Sequence, residues 1–279
     1  MIIEELQAHA MNMRKNALKM SYECGGNAHI GGAFSMMEIM AVLYGYKMNT
    51  ASLAESDYFH RDKFILSKGH GVLALYTALA EFGMMDKELL STFQQNESDL
   101  IAHPVMNPSL GIESSNGSLG QGISMATGLA LAAKKKGYTY QVYTICGNGE
   151  CNEGSVWEAI MSAVNFKLDN FTLIIDNNGM QSDGASSEVM NVSQRYADML
   201  KAIGFQVFCV NGHDITELIS ALDTKHIPYL PKAIVAKTIK GKGISFMEDN
   251  NVWHHNRLTK SQYELALAEL EEAYGIKKE

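Results

Sequence analysis

The sequence predicts an α/β fold in which a doubly wound, mostly parallel sheet carries helices on both faces. Short apolar runs rich in β-branched residues begin near residues 142, 171, 205 and 232, and stretches with apolar residues at helical spacing separate them. No internal repeat or low-complexity linker interrupts this alternation. We therefore expect a single domain over residues 1–279, with a helical extension from about residue 258.

Composition narrows the possible function. With 279 residues, of which 46% are hydrophobic, the chain can bury a full core, and its net charge of −8 argues against nucleic acid or an anionic membrane as a partner. No apolar run reaches the length of a membrane span, and the N-terminus lacks the pattern of a signal peptide. The four cysteines, Cys24, Cys146, Cys151 and Cys209, show no metal-ligand spacing. We expect a reduced, cytoplasmic protein.

The first third of the chain predicts two helices and a strand. Residues 3–22 have apolar residues at helical spacing, and residues 36–46 form an apolar-rich helix for which Ser35 is a suitable N-cap. His29 lies in the loop between them. The segment over residues 61–71 predicts a short strand that delivers His70 to its end.

A glycine-rich loop precedes the next long helix. His103 lies in a loop, and Gly117, Gly120 and Gly122 come just before an apolar helix over residues 123–133. Glycines at a helix N-terminus let backbone N–H groups approach an anion such as phosphate. This pattern alone is a weak indication of a phosphate site.

Two polar turns follow the central strands. The strand over residues 142–146 ends in Gly147-Asn148-Gly149-Glu150, and the strand over residues 171–175 ends in Asp176-Asn177-Asn178-Gly179-Met180, with a helix over residues 155–166 between them. In a parallel sheet both turns lie at one edge, where open α/β sheets bind ligands. Oxygen atoms of Asn148 and Asn178, with a backbone carbonyl, would suit a hard cation such as Mg²⁺ shared with a phosphate.

The C-terminal part completes the alternation. Strands are predicted over residues 205–210 and 232–237, with a helix over residues 215–226 between them. A polar segment then ends in His254-His255. The last predicted helix, over residues 261–274, has Thr259 or Ser261 as its cap.

In content and order these motifs resemble the thiamine diphosphate (ThDP) fold, and more closely the N-terminal half of transketolase. That family has Gly-Asp-Gly-Glu, Glu-Gly, Trp-Glu-Ala and Asp-Asn-Asn-Gly in this order, and its Arg-Asp-Arg-Phe-x-Leu-Ser-x-Gly-His resembles residues 61–70. Its Thr-Gly-Pro-Leu-Gly-Gln-Gly resembles residues 116–122, with Ser118 in place of proline. One departure is central: the family's metal-binding aspartate is Asn148 here, which brings an oxygen but no charge.

The resemblance implies a role for each matching residue. Four histidines would contact the sugar: His29, His70, His103 and His254, with His255 as an alternative to the last. Contacts to ThDP would come from His70, Gly117, Ser118, Leu119, Gly147, Gly149, Glu150, Asn178 and His254. The metal, Mg²⁺ or else Ca²⁺ or Mn²⁺, would be bound by Asn148, Asn178 and the carbonyl of Met180. Glu153 and Glu158 match carboxylates that relay protons at a subunit interface, although acids at a helix start equally favour the helix dipole.

The function implied by the resemblance is that of the N-terminal subunit of a split transketolase, which moves a two-carbon ketol unit from a ketose to an aldose. A partner, the C-terminal transketolase subunit, would supply the pyrimidine-binding domain with its activating glutamate and a third domain, in an α₂β₂ assembly. Two alternatives stay open: another ThDP enzyme, such as a deoxyxylulose-phosphate synthase or an oxo-acid dehydrogenase component, and a non-catalytic subunit with a degenerate metal site at Asn148. The sequence does not identify the donor or the acceptor, and Asn148 favours a specialised pathway over central metabolism.

Overall fold

The main sheet has five parallel strands. The computed structural model describes residues 1–50, 53 and 58–273. Within them the strands are β1 (Lys63–Leu66), β2 (Val142–Gly147), β3 (Phe171–Asn177), β4 (Met180–Gln181), β5 (Gly184–Ala185), β6 (Gln206–Asn211) and β7 (Lys232–Lys237). The sheet order is β1-β2-β3-β7-β6, and β4 pairs with β5 in a separate antiparallel hairpin. The predicted parallel sheet is confirmed.

Helices connect the strands. Those of the described residues are α1 (Ile2–Glu23), α2 (Gly31–Phe34), α3 (Met37–Val42), α4 (Val72–Glu81), α5 (Gln121–Lys136), α6 (Gly154–Asn165), α7 (Ser186–Val189), α8 (Tyr196–Ile203), α9 (Ile215–Asp223) and α10 (Lys260–Ala273). Short 3₁₀ segments include the stretch Lys87–Thr92.

Two cores cover the two faces of the sheet. Along β2 the side chains of Tyr143 and Ile145 belong to one core, whereas Val142 and Cys146 belong to the other. This alternation follows from the two-residue period of a strand. The first core also contains buried residues of α1, α3, α4, α9 and α10, and the second contains those of α5, α6 and α8. Burial of each large apolar side chain contributes about 1.5 to 3 kcal/mol, which holds the helices on the sheet.

The prediction that Ser35 caps the next helix is wrong. α3 begins after Met36, and no side chain caps its first turn. The hydroxyl of Ser35 donates instead to the carboxylate of Asp176 at 2.6 Å, and also to the Gly32 carbonyl. Because a hydrogen bond to an ionised carboxylate is stronger than one between neutral groups, the Ser35 side chain is oriented toward Asp176 and away from the first turn of α3. The predicted helix over residues 36–46 also changes character, because Leu43–Lys47 forms a π-turn after α3.

At the C-terminus the two candidate caps are resolved in favour of Thr259. Its hydroxyl accepts a hydrogen bond from the backbone N–H of Gln262 at 3.3 Å, and the Gln262 side chain accepts one from the Thr259 N–H at 2.9 Å. This reciprocal pair is a capping box. The predicted end of the helix at Tyr274 lies outside the described residues, while α9 ends at Asp223, before the predicted His226.

The segment between β3 and β6 contains elements that the sequence analysis did not predict. The β4–β5 hairpin, α7 and α8 follow directly on the polar end of β3. The hairpin begins three positions after β3 ends, at the carboxyl edge of the sheet, whereas the buried residues of α8 belong to the second core. Among the described residues, no helix is both long and apolar enough to cross a membrane.

Candidate active site

A cavity of about 350 Å³ lies at the carboxyl edge of the sheet, which is within the usual range for small-molecule sites. It is lined by residues that follow β1, β2, β3 and β7 and by the segments around residues 29–32 and 117–119. The predicted site residues on its wall are His29, His70, His103, Gly117, Leu119, Gly147, Asn148, Gly149, Glu150, Glu153, Asn178, Met180 and His254. Residues far apart in the sequence therefore meet at one cavity.

Two predicted residues are not among those that line the cavity. Ser118 is exposed between Gly117 and Leu119, and Glu158 is exposed on α6. Glu153, the other predicted relay residue, lines the cavity and is also exposed.

The four predicted histidines form a cluster around His29. The ring of His29 lies 5.4 Å from that of His70, 5.7 Å from that of His103 and 5.4 Å from that of His254, measured between ring centroids. Burial is the main reason that the pKa of His29 falls to about 3 and the pKa of His254 to about 4, with neighbouring imidazoles and Lys240 lowering both further. The pKa of His70 is lowered in the same way, mainly by burial and then by Lys68. At neutral pH these rings are uncharged hydrogen-bonding groups.

His254, rather than His255, faces the cavity. The Nδ1 atom of His254 lies 2.9 Å from the Nζ atom of Lys240, which also donates to Asn251. His255 is exposed and stacks on the outer side of His29, with ring centroids 4.2 Å apart.

A buried ion pair supports the site from below. The ammonium of Lys68 donates to Asp176 and, at 2.7 Å, to the Gly32 carbonyl, and both side chains are almost fully buried. Ser35, Thr238 and Asn178 donate to the same carboxylate. Burial alone would raise the pKa of Asp176, but Lys68 and these donors outweigh burial and lower it. Asp176 therefore stays ionised and connects the ends of β1, β3 and β7.

The carboxylate of Glu150 connects the glycine-rich loop before α5 to the glycine turn after β2. One carboxylate oxygen accepts from the Ser67 hydroxyl at 2.6 Å and the Gly120 N–H at 2.8 Å, and the other accepts from the Gly147 N–H at 3.1 Å. Burial raises the pKa of this carboxyl despite these bonds. Because both oxygens are used within the protein, Glu150 shapes the cavity wall.

The predicted metal ligands lie together. Asn178 Oδ1 accepts from the Met180 N–H at 3.0 Å. Asn148 is buried, and its Nδ2 donates to the Met180 carbonyl at 3.2 Å and to the Ser186 hydroxyl at 2.6 Å. Asn148 Oδ1 is buried and has no hydrogen-bond partner among the described residues. The one oxygen of this side chain that could bind a cation therefore accepts no hydrogen bond from the described residues, and it is shielded from solvent.

These residues fit a diphosphate well and a divalent cation less well. A Cβ atom added at Gly147 or Gly117 would meet nothing closer than 3.8 Å, so the backbone there borders open space, and the residues Lys68 and Lys240 line the same cavity. At the predicted metal position the wall offers the neutral amide and carbonyl oxygens of Asn148, Asn178 and Met180, while the acidic side chains of Glu150, Glu153 and Asp183 line other parts of it. In the part of the chain that the structure describes, no three His, Cys, Asp or Glu side chains form a metal-binding group. Such a site suits a hard cation only when a phosphate shares it.

Sequence reasoning missed the two lysines. Lys68 stands inside the motif around His70, and Lys240 begins the polar segment after β7, but neither position indicates that the residue lines the cavity. Gln181 and Asp183 of the β4–β5 hairpin were also missed, since the hairpin itself was not predicted. A second cavity, between α1 and residues 87–91, has mixed lysine and glutamate walls without histidine or a glycine turn.

Comparison with known proteins gives consistent results. Residues 9–279 match the family model described as "Transketolase, thiamine diphosphate binding domain". The chain is 39% identical to the 6-deoxy-6-sulfo-D-fructose transketolase subunit SqwG of Clostridium sp. (strain MSTE9), over 96% of both chains. It is 35% identical to one of the subunits of the apulose-4-phosphate transketolase of Actinobacillus succinogenes, over 96% of this chain and 97% of that one.

Solved structures agree in fold. The crystal structure of transketolase from Campylobacter jejuni matches with a TM-score of 0.86 and 31% identity, and the match covers 99% of this chain but 44% of that one. The chain thus spans less than half the length of that transketolase and nearly the whole of the two subunits.

We predict that Lys68→Met destabilises the chain strongly. Breaking a buried ion pair leaves Asp176 without its counter-charge, which costs about 3 to 5 kcal/mol of the free energy of unfolding. The control is Lys134→Met, because Lys134 pairs with Asp169 on the surface, where the cost is about 1 kcal/mol or less. Urea unfolding measures both, and equal losses would contradict a supporting role for the buried pair.

We also predict that stability falls as the pH drops from about 7 to 5. The clustered histidines have lowered pKa values in the folded chain, whereas in the unfolded chain they bind protons near pH 6.5. The unfolded state therefore takes up more protons, and stability that is complete above about pH 6.5 is lost below it. His29→Asn should reduce the slope of unfolding free energy against pH, measured by urea titration, with exposed His60→Asn as the control outside the cluster. An unchanged slope in His29→Asn would refute this account.

Proposed function

We propose that this chain, which belongs to the transketolase family and contains its ThDP-binding domain, is the N-terminal subunit of a two-chain transketolase. The observation that carries the proposal is the cavity at the carboxyl edge, where the glycine turn after β2, the amides after β3 and four uncharged histidines meet. We propose that residues 1–279 act as one domain, with α10 belonging to a helical extension from about residue 258.

The reaction that fits is transfer of a two-carbon ketol unit from a ketose to an aldose. ThDP, when bound, supplies the nucleophilic carbon that carries the two-carbon unit. In our proposal Gly117, Ser118, Leu119, Gly147 and Gly149 offer backbone groups to the diphosphate, and Lys68 and Lys240 add positive charge beside it. The uncharged rings of His29, His70, His103 and His254 would donate to and accept from the hydroxyl groups and carbonyl oxygen of the sugar.

A partner chain would supply the rest of the enzyme. This chain corresponds to 44% of the Campylobacter jejuni transketolase, while its relatives of the same length are named as subunits. We propose that a C-terminal subunit provides the pyrimidine-binding domain with the activating glutamate and a third domain, in an α₂β₂ assembly. Glu153 and Glu158 would then relay protons at the interface, although Glu158 is exposed here, as an ordinary acid near a helix start would be.

The divalent cation belongs to the proposal as well. Mg²⁺, or Ca²⁺ or Mn²⁺ in its place, would be held by oxygen atoms of Asn148 and Asn178, the Met180 carbonyl and the diphosphate itself. Because the two side chains are neutral, most of the attraction to the cation would come from the diphosphate.

The substrate we propose is a ketose with an anionic far end. Its hydroxyl groups match the neutral histidine cluster, and the anionic end would reach the partner subunit. Of the two relatives described above, one is named for a sulfonated sugar and the other for a sugar phosphate. Sulfonated and phosphorylated ketoses are therefore the first donors to screen, with xylulose 5-phosphate as the test of central metabolism.

A second candidate is a non-catalytic subunit, and the neutral metal site at Asn148 is the observation that favours it. Such a chain would assemble with its partner without binding ThDP. Cofactor binding distinguishes the two candidates directly.

We predict that ThDP with Mg²⁺ binds measurably when the chain is combined with its partner, and more weakly to the chain alone. The chain supplies the diphosphate end of the site, and the partner supplies the other end. Isothermal titration of ThDP, with and without the partner, measures both affinities, and a donor screen with the reconstituted pair follows. Absence of binding in both titrations would favour the non-catalytic subunit.

We further predict that Asn148→Asp tightens Mg²⁺ binding in the presence of ThDP. A charged ligand should contribute about 1 to 3 kcal/mol, comparable to a hydrogen bond that involves a charged group. Titration of Mg²⁺ at fixed ThDP measures the change. Asn152→Asp is the matched control, because it adds the same charge nearby at a side chain that bonds Gln181 instead of Met180. Equal gains in both variants would mean that general charge, and not ligation, is responsible.

A further inference from the structure

The β4–β5 hairpin needs ties to the rest of the protein. Each of its strands has two residues, with Met180 opposite Ala185 and Gln181 opposite Gly184. So short a hairpin is not stable by itself. Yet Met180, Gln181, Ser182 and Asp183 form part of the cavity wall. Whatever fixes the hairpin therefore fixes that wall.

The tip and the base of the hairpin are held by different residues. At the tip, Asn251 donates to the Ser182 carbonyl at 2.8 Å. Along the strand, Asn152 donates to the Gln181 side chain at 3.1 Å. At the base, the side chain of Asn148 reaches across, and its two N–H groups go to Met180 and Ser186.

Asn148 is itself anchored firmly. Its backbone N–H donates to the Asp176 carbonyl at 3.2 Å, and its own carbonyl accepts from the hydroxyl of Tyr196 at 2.7 Å. Asn148 and Ser186 are each 1% exposed, so the contact between them is made out of water, whereas Met180 is half-buried at the cavity wall. The side chain is thus presented from a fixed backbone to one buried and one half-buried acceptor.

The chemistry of an amide is essential to this contact. The Met180 carbonyl can only accept, so the group 3.2 Å from it must donate, which assigns the nitrogen of Asn148 to this side. A carboxylate at the same position has no hydrogen to give, and its oxygen would face the carbonyl oxygen with both carrying negative charge. Two such oxygens stay together only with a cation between them.

We propose that the amide of Asn148 is a cation-independent clasp that holds the β4–β5 hairpin against the turn after β2. The clasp forms before any cofactor or metal is present, so this part of the cavity wall is preformed. Oδ1, which has no partner among the described residues, is left over for a ligand in the cavity wall. The clasp does not depend on the proposed function, because neither ThDP nor a partner takes part in it.

Hydrogen exchange of the hairpin amides tests the clasp without ThDP. The N–H of Ser186 donates to the Gly179 carbonyl at 2.8 Å and reports whether the base is closed. In the unmodified chain we expect the same exchange rate in EDTA and in millimolar Mg²⁺. In Asn148→Asp we expect exchange about five to ten times faster in EDTA, the effect of losing a hydrogen bond, and recovery on addition of Mg²⁺.

Three further variants separate the clasp from other effects. Asn148→Ala should exchange faster with and without Mg²⁺, because it lacks both the donor and a metal ligand. Ser186→Ala should show a smaller increase, also independent of Mg²⁺. Asn152→Asp, which places a similar charge on the neighbouring tie, should acquire no dependence on Mg²⁺.

Two results would overturn the proposal. One is protection of the hairpin in the unmodified chain that appears only with Mg²⁺, a comparison that needs no variant and so survives misfolding of any of them. The other is an Asn148→Asp chain that is as protected in EDTA as the unmodified chain, which would show that the remaining ties suffice.

Discussion

The buried pair of Lys68 and Asp176 is the contact on which the site depends. It joins the end of β1 to the end of β3, while Ser35 and Thr238 attach two more segments to the same carboxylate. Removing two charges from water is costly, and such a pair persists only where further hydrogen bonds satisfy it, as they do here. The pair has a structural role that offsets this desolvation cost, because it fixes the positions of Gly32, His70 and Asn178 around one cavity.

The strands and turns could be predicted because their signals are local. Continuous apolar, β-branched runs and the glycines that follow them specify β2 and β3 without knowledge of the rest of the chain. The histidine cluster could be predicted only through the resemblance, because nothing in the spacing of His29, His103 and His254 brings them together. Ser35 was misassigned because a good local cap lost to a buried carboxylate 141 positions away in the chain. The β4–β5 hairpin was missed because strands of two residues are too short to give a sequence pattern. Hydrogen bonds to distant residues hold them in place.

The cavity wall carries charges of both signs, because Lys68 and Lys240 line it together with the acidic side chains of Glu150, Glu153 and Asp183. Lys68 is matched by Asp176, and the hydrogen bonds of Lys240 go to neutral groups, Asn251, His254 and Gln181. Burial, and then Lys68, lowers the pKa of Lys240 to about 8, so it still carries most of its charge at pH 7. The four imidazoles add no charge. With an amide rather than a carboxylate at position 148, the cavity has one negative charge fewer and repels a diphosphate less.

This balance explains how a neutral side chain could stand where the family has an acid. A carboxylate at position 148 would serve the cation but repel the diphosphate, and it would leave the Met180 carbonyl without a donor. The asparagine side chain has the opposite effects. It binds a cation more weakly, does not repel the diphosphate, and donates a hydrogen bond to the hairpin. In this site the position of the hairpin thus depends on a hydrogen bond rather than on the metal. The lysines contribute more of the attraction to the cofactor. The affinity for the cofactor then depends on how tightly Lys240 and the glycine backbone hold the diphosphate, which the cation otherwise assists.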